Sequence, residues 1–277
     1  MHRYSYYKTA ACTLNVSIGD PQANKEEILK CIQELDSDTQ LVVFPELCIT
    51  GYTCQDLFYE HTLLNSAKQV LFEIVEELPE NLVTVLGLPL EIENKLYNCA
   101  AICFNHDILG IQVKTYIPSY NEFYETRWFS SASELKENTT FTYKDKKVPV
   151  SNHIVFKDTT TSACLGIEIC EDLWVTIPVS STHALAGANV LCNLSASNEI
   201  ISKANYRRNL VKDQSAKCYA GYVYASAGPT ESSSDLVFSG HNLICENGTI
   251  LSETKTDKTI YGQIDLDHLN HDRLHYK

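Results

Sequence analysis

The sequence predicts an α/β protein in which a mixed sheet is covered by helices. Two observations carry this. Strand-like apolar runs alternate with helix-period segments toward both ends of the chain, and three strand-like runs in between are spaced for hairpin turns. A third observation bounds the answer. The chain has 277 residues, of which 44% are apolar, enough for a large core and unlike a disordered composition.

The elements follow in order. KTAACTLNV (8–16) alternates and reads as a strand. NKEEILKCIQEL (24–35) repeats Ile28, Leu29, Ile32 and Leu35 at helical spacing. LVVFPE (41–46) is a short apolar run stopped by proline, the mark of a buried strand. Residues 56–78 read as a second helix. LVTVLGLPL (82–90), LYNCAAICF (96–104) and ILGIQVK (108–114) read as three strands. SACLGIEIC (162–170) is a strand ending on Cys170, STHALAGA (181–188) a short helix and NVLCNLS (189–195) a strand. A helix over 206–220 and a strand over 221–227 follow. HNLICENGTILSE (241–253) is a hairpin about an Asn-Gly turn, and IYGQIDLD (260–267) closes the pattern. Residues 115–152 read as one long loop, too long for an ordinary connection. Its aromatic residues speak against disorder and for a covering or binding segment. No repeat or low-complexity linker divides residues 1–277, so one domain is expected.

Composition excludes several functions. The net charge of −13 leaves no basic surface for nucleic acid. Eleven cysteines occur without a CxxC, against zinc-ribbon and thioredoxin readings. No apolar stretch reaches membrane-spanning length and the first residues carry no secretory h-region, so a cytoplasmic protein with reduced thiols is expected, one that does not engage a membrane. HLNHDRLH places His268, His271 and His275 on one helical face. Terminal histidine clusters are generally solvated, and no metal is expected.

Three residues at strand ends carry the chemistry. Glu46 ends one run, Lys114 another and Cys170 a third, and catalytic groups gather beyond strand carboxyl ends in helix-covered sheets. Singly, each has a plain alternative: a solvated acid, surface decoration, core filler. Together they suit one another. A carboxylate can take a thiol proton, and an ammonium stabilises the thiolate. The acids beside Cys170 (Glu168, Glu171, Asp172) raise a thiol's pKa. The side chains of Glu171 and Asp172 are free to point away. If Cys170 sits on a tight strand-to-helix turn, the Glu171 N–H faces an incoming carbonyl oxygen, as in nucleophile elbows, and forms an oxyanion hole with Lys114.

LVVFPELCITGY, VKTYIPSYNEFYETRWF and GIEICEDLW resemble the three catalytic blocks of the nitrilase superfamily of carbon-nitrogen hydrolases. The stretch from 193 to 251 is similar, more narrowly, to the glutaminase domains of glutamine-dependent NAD synthetases, and the resemblance runs from about Lys8 to Asp267. It implies a four-layer α-β-β-α sandwich. It implies Glu46 as general base, Lys114 as oxyanion stabiliser, Cys170 as nucleophile and Glu125 as the additional acid near the lysine. Tyr120, Phe123, Glu171, Ser197 and Lys203 are implied to hold L-glutamine. Tyr120 also reads as core packing, Ser197 as a helix cap and Lys203 as a solvated charge. TIPVS (176–180) departs from the family pattern, which usually has a second proline there. The family assembles through this fold, which implies a homo-oligomer. ATP and Mg would serve a synthetase domain or subunit. Its SGGxDS loop is missing here, so this chain by itself is expected to take no cofactor and to make no NAD. A stand-alone amidase acting on another small amide, and a non-catalytic subunit keeping the fold, are the rival readings.

Overall fold

Two sheets form, and the apolar alternation of their strands decides which faces meet. The structure is a computed structural model that describes residues 5–275. The first four residues of the supposed leaderless N-terminus lie outside it. The first sheet is built from β1 (Tyr6–Cys12), β2 (Leu41–Val43), β3 (Val83–Ile92), β4 (Lys95–Phe104), β5 (Asp107–Val113), β6 (Thr140–Tyr143), β7 (Lys146–Ser151) and, from the far end of the chain, β14 (Thr259–Asp265). Its order is β14-β1-β2-β3-β4-β5-β7-β6. The second sheet holds β8 (Val155–Lys157), β9 (Cys164–Ile169), β10 (Val190–Ser195), β11 (Gly221–Ser226), β12 (Asn242–Glu246) and β13 (Thr249–Thr254), in the order β13-β12-β11-β10-β9-β8. Parallel pairs lie at the centre of each sheet (β1, β2 and β3 in one, β9, β10 and β11 in the other); the remaining pairs are antiparallel except β5–β7, which is parallel near one edge of the first sheet.

The sheets face each other across one apolar layer. Ala11, Val43, Val85 and Ala100 of the first sheet lie in one cluster with Ile167, Ile169, Cys192 and Ala225 of the second. Helices cover the outer faces. The helix α1 (Pro21–Gln33) and the helix α2 (His61–Glu77) place Ile28, Ile32, Val70, Leu71 and Ile74 over the first sheet. The helix α4 (Lys203–Lys217) puts Val211 against Leu191, Tyr222 and Tyr224 of the second. The arrangement is the four-layer α-β-β-α sandwich. A short helix α3 (Val179–Leu185) follows β9, and α5 (Leu266–His275) follows β14. Among the described residues no helix is long and apolar enough to cross a membrane. All eleven cysteines are free.

Local chemistry explains the boundaries. Asp20 caps α1 by accepting from the Ala23 N–H at 3.1 Å, and Pro21 opens it, so the helix begins three residues before the expected start at Asn24. Residues 56–78 are not one helix. Glu60 is extended and separates a 3-10 turn, Gln55–Tyr59, from α2. The two-residue turns Glu93-Asn94 and Asn105-His106 have positive φ throughout, as hairpins of right-twisted strands require. The Asn247-Gly248 turn does the same between β12 and β13. The long loop is not structureless: residues 140–151 form the hairpin β6–β7 that extends the first sheet.

One glycine fixes the approach of two segments. A Cβ on Gly87 of β3 would lie 2.4 Å from the Leu47 N and 2.6 Å from the Pro45 O, against the turn carrying Glu46. That turn is itself tight, since Leu47 has φ +52°. Gly87→Ala is expected to cost about 1–3 kcal/mol through overpacking. Urea unfolding checks this, and an unchanged midpoint would contradict the close approach.

Candidate active site

Four strands deliver their carboxyl ends to one place. Glu46 lies three residues beyond β2, Lys114 directly after β5, Cys170 directly after β9 and Ala196 directly after β10. Glu46, Lys114 and Ala196 have no exposed surface, and Cys170 is 6% exposed. The site therefore lies at the seam of the two sheets, with one acid and one base from the first and the sulfur from the second.

The ammonium of Lys114 is the centre of the array. Its Nζ donates to Glu46 Oε1 at 2.6 Å and to both oxygens of Glu125 at 2.8 Å. Burial would lower this lysine, but the carboxylates of Glu125 and Glu46 hold it well above the usual range, so it stays charged. Each carboxylate is held from its other side. Asn98 Nδ2 donates to Glu46 Oε1 at 2.7 Å, and the Ala196 N–H donates to Glu46 Oε2 at 2.8 Å. Tyr52 donates its hydroxyl proton to Glu125 Oε1 at 2.7 Å. Burial, with the Glu46 charge adding to it, pushes the Glu125 carboxyl up to about 7 although Lys114 pulls the other way.

Cys170 opens a 3-10 turn, Cys170–Leu173, with φ +42°. A non-glycine residue in this left-handed region costs about 1–2 kcal/mol and persists only where its surroundings fix it. The tight strand-to-helix turn expected from GIEICEDLW is present. Burial raises the thiol well above the ordinary range. Glu46, Glu125 and Glu171 add to the rise, and Lys114 opposes it. The resting sulfur is therefore protonated.

The expected pocket residues gather around this turn. The Tyr120 hydroxyl donates to both Glu171 oxygens, at 3.0 and 2.9 Å, and the Tyr120 and Phe123 rings meet edge to face at 6.0 Å. Lys203 opens α4, and its Nζ lies 5.0 Å from the Trp174 ring centre and 5.6 Å from that of Phe123. Burial lowers this ammonium, and it donates to Asn198 Oδ1, whose amide donates to Glu122. Tyr120 is half-exposed rather than core packing, and Lys203 is half-buried against two rings rather than fully solvated. Ser197 caps no helix. It is buried, and its Oγ accepts from Arg207 Nη2 at 3.2 Å.

The side chain of Asp172 is fully buried and accepts three backbone N–H groups, and of the two acids after Cys170 it is Glu171 whose charge adds to the rise of the thiol. Sequence reading passed over Tyr52, Asn98, Trp174 and Arg207. Asn98 carried a signal, a lone polar residue amid the apolar run 96–104. Arg207 carried none, because its neighbour Arg208 reads identically yet pairs with Glu253 nearer the surface. The terminal histidines are otherwise occupied: His268 lies 3.4 Å from Glu246 and 3.5 Å from Asp272, and the His271 and His275 rings are 4.2 Å apart. Among the described residues no group of three or more His, Cys, Asp or Glu is placed to hold a metal ion.

Comparison with known proteins places this geometry. The carbon-nitrogen hydrolase family model matches residues 8–273. A glutamine-dependent NAD(+) synthetase of Mycobacterium leprae is 36% identical over 276 residues, 97% of this chain and 40% of the relative. The crystal structure of a glutamine-dependent NAD(+) synthetase from Cytophaga hutchinsonii has a TM-score of 0.83 at 29% identity, covering 94% of this chain and 43% of that one. Nit3 of Saccharomyces cerevisiae, of branch 10 of the nitrilase superfamily, shares the fold with a TM-score of 0.76 at 20% identity, covering 98% of this chain and 94% of its own. The chain spans 40% of the length of the Mycobacterium leprae synthetase.

Replacing Lys114 by Met leaves two buried carboxylates without their cation. A loss of about 3–5 kcal/mol is expected at pH 7.5. Without the ammonium that opposes burial at Glu125, this carboxyl rises further above its unfolded pKa, so stability falls as pH rises. The deficit against the unsubstituted chain is therefore expected to shrink at pH 5. Urea titrations at both pH values check this, and equal deficits would contradict it.

Proposed function

The chain belongs to the carbon-nitrogen hydrolase family, and on that premise we propose that it is a glutamine amidohydrolase whose ammonia feeds the ATP-dependent amidation of nicotinate adenine dinucleotide to NAD by a synthetase domain or partner. The observation that carries the chemistry is the buried Glu46–Lys114–Glu125 array beside a cysteine held at positive φ. The glutamine and NAD parts are supported by likeness to the synthetases, of which this chain matches only a portion.

In this reading Glu46 accepts the Cys170 proton as the sulfur attacks the side-chain carboxamide carbon. A protonated resting thiol makes such a base necessary. Negative charge forms on the carboxamide oxygen, where Lys114 and the Glu171 N–H stabilise it. The C–N bond breaks, and Glu46 returns its proton to the departing nitrogen, releasing ammonia. Water, deprotonated by Glu46, then attacks the thioester carbon. The C–S bond breaks, the sulfur regains a proton, and glutamate leaves. Glu125 holds Lys114 in its charged, oriented form. The pocket chemistry suits an amino acid. Lys203, half-buried against Trp174 and Phe123, matches an α-carboxylate. Glu171, backed by Tyr120, matches an α-ammonium, with Ser197 completing the wall.

Residues 1–277 act as one glutaminase unit without a cofactor of their own. ATP and magnesium belong to the synthetase part. The unit works in the cytoplasm as a homo-oligomer. Cys170→Ala is expected to lower ammonia release from L-glutamine by at least about a thousandfold while the circular dichroism spectrum is retained. The assay is run with and without a synthetase partner and its substrates, beside a panel of other small amides. Turnover kept by the variant would overturn the nucleophile, and preference for another amide would overturn glutamine.

A further inference from the structure

Two acids follow the proposed nucleophile, and the fold uses them differently. Glu171 turns to the pocket and meets Tyr120. Asp172 turns inward, with no exposed surface. Its Oδ1 accepts the N–H groups of Thr115 at 3.0 Å and Tyr116 at 2.9 Å, and its Oδ2 accepts the N–H of Ile169 at 3.2 Å. Thr115 is the residue after Lys114. Ile169 is the last residue of β9, directly before Cys170. One carboxyl group thus bonds to the backbone on the near side of the sulfur and to the backbone just past the ammonium. Among the described residues no other hydrogen bond joins 169–173 to 113–117.

The bridge spans the two sheets, because Lys114 leaves β5 and Cys170 leaves β9. It also closes over the strained residue, since the Oδ2 bond from Ile169 to Asp172 encircles Cys170 at φ +42°. Such a conformation persists only when neighbouring bonds over-determine it. The far end of the bridge is anchored in turn: the Lys114 N–H donates to Asn98 O at 2.9 Å, and the Lys114 carbonyl accepts from the Ala132 N–H at 3.0 Å.

We propose that Asp172 is a positioning residue that locks the Cys170 turn to the segment leaving Lys114 and so sets the sulfur-to-ammonium geometry from which the reaction starts. This rests on the roles given above to Cys170 and Lys114. Asp172 touches neither substrate nor sulfur. It works through backbone, and a displacement of about 1 Å in such an array costs on the order of a hundredfold in rate.

The test compares Asp172→Ala and Asp172→Asn with the unsubstituted chain, with rates normalised to the folded fraction. Asp172→Ala is expected to lower kcat for glutamine about a hundredfold with KM changed by less than about threefold. Asp172→Asn keeps one acceptor for Thr115 and Tyr116 but faces the Ile169 N–H with an amide donor, and is expected to fall between. A kcat per folded molecule within about twofold of the parent in both variants, or a raised KM at unchanged kcat, would overturn the proposal. If Asp172→Ala does not fold, Asp172→Asn decides. A second measurement needs neither substrate nor variant: amide hydrogen exchange of the parent chain in mild urea. The amides of Ile169, Thr115 and Tyr116 are expected to be protected and to open at one shared rate. Independent or unprotected exchange would overturn the bridge. An enzyme inert toward glutamine would sink the functional reading, and exchange alone would then decide this one.

Discussion

A fully buried ammonium between two buried carboxylates is the constraint on which the rest of this protein depends. Each ion taken from water costs several kcal/mol even after relaxation, and only close, well-hydrogen-bonded partners offset that. Lys114 has three such contacts, and its carboxylates have further donors in Asn98, the Ala196 amide and Tyr52. None of these groups is adjacent in sequence. They meet only when β2, β4, β5 and β10 are in register and the two sheets are stacked. The array thus acts as a check on the whole sandwich.

The position of the site follows from that dependence. The base and the ammonium come from one sheet and the sulfur from the other, so their separation is inherited from the inter-sheet spacing. The spacing is set by the small and branched side chains of the inner layer, Ala11, Val43, Val85 and Ala100 against Ile167, Ile169, Cys192 and Ala225. A larger residue there would part the sheets, and the distance between base and sulfur would grow with them. Gly87 makes the same point within one sheet, where the turn carrying Glu46 rests on β3 with no room for a methyl group.

Much of this was legible before any coordinates. Apolar runs located the buried strands, and the three strand-end residues Glu46, Lys114 and Cys170 lie where strand-end logic put them. The β6–β7 hairpin was not legible, because TFTYKDKKVPV offers only alternate apolar positions within a lysine-rich segment whose outer face meets water. The extended Glu60 was hidden as well, since apolar residues at 57–59 and 63–64 flank the break on both sides and mask it. The residues expected to hold the substrate could be named only through resemblance, as Tyr120, Ser197 and Lys203 have no periodicity that marks them. The bonding of Asp172 was not legible either, because nothing in the order of residues tells whether its carboxyl faces water or three backbone amides.

The acids around Cys170 have a last consequence, which concerns the enzyme at rest. Peroxides and stray electrophiles react with thiolates, and a sulfur kept protonated by burial and by carboxylate neighbours presents very little of that form. Such a cysteine offers its reactive form chiefly in the moment a bound guest draws the proton away.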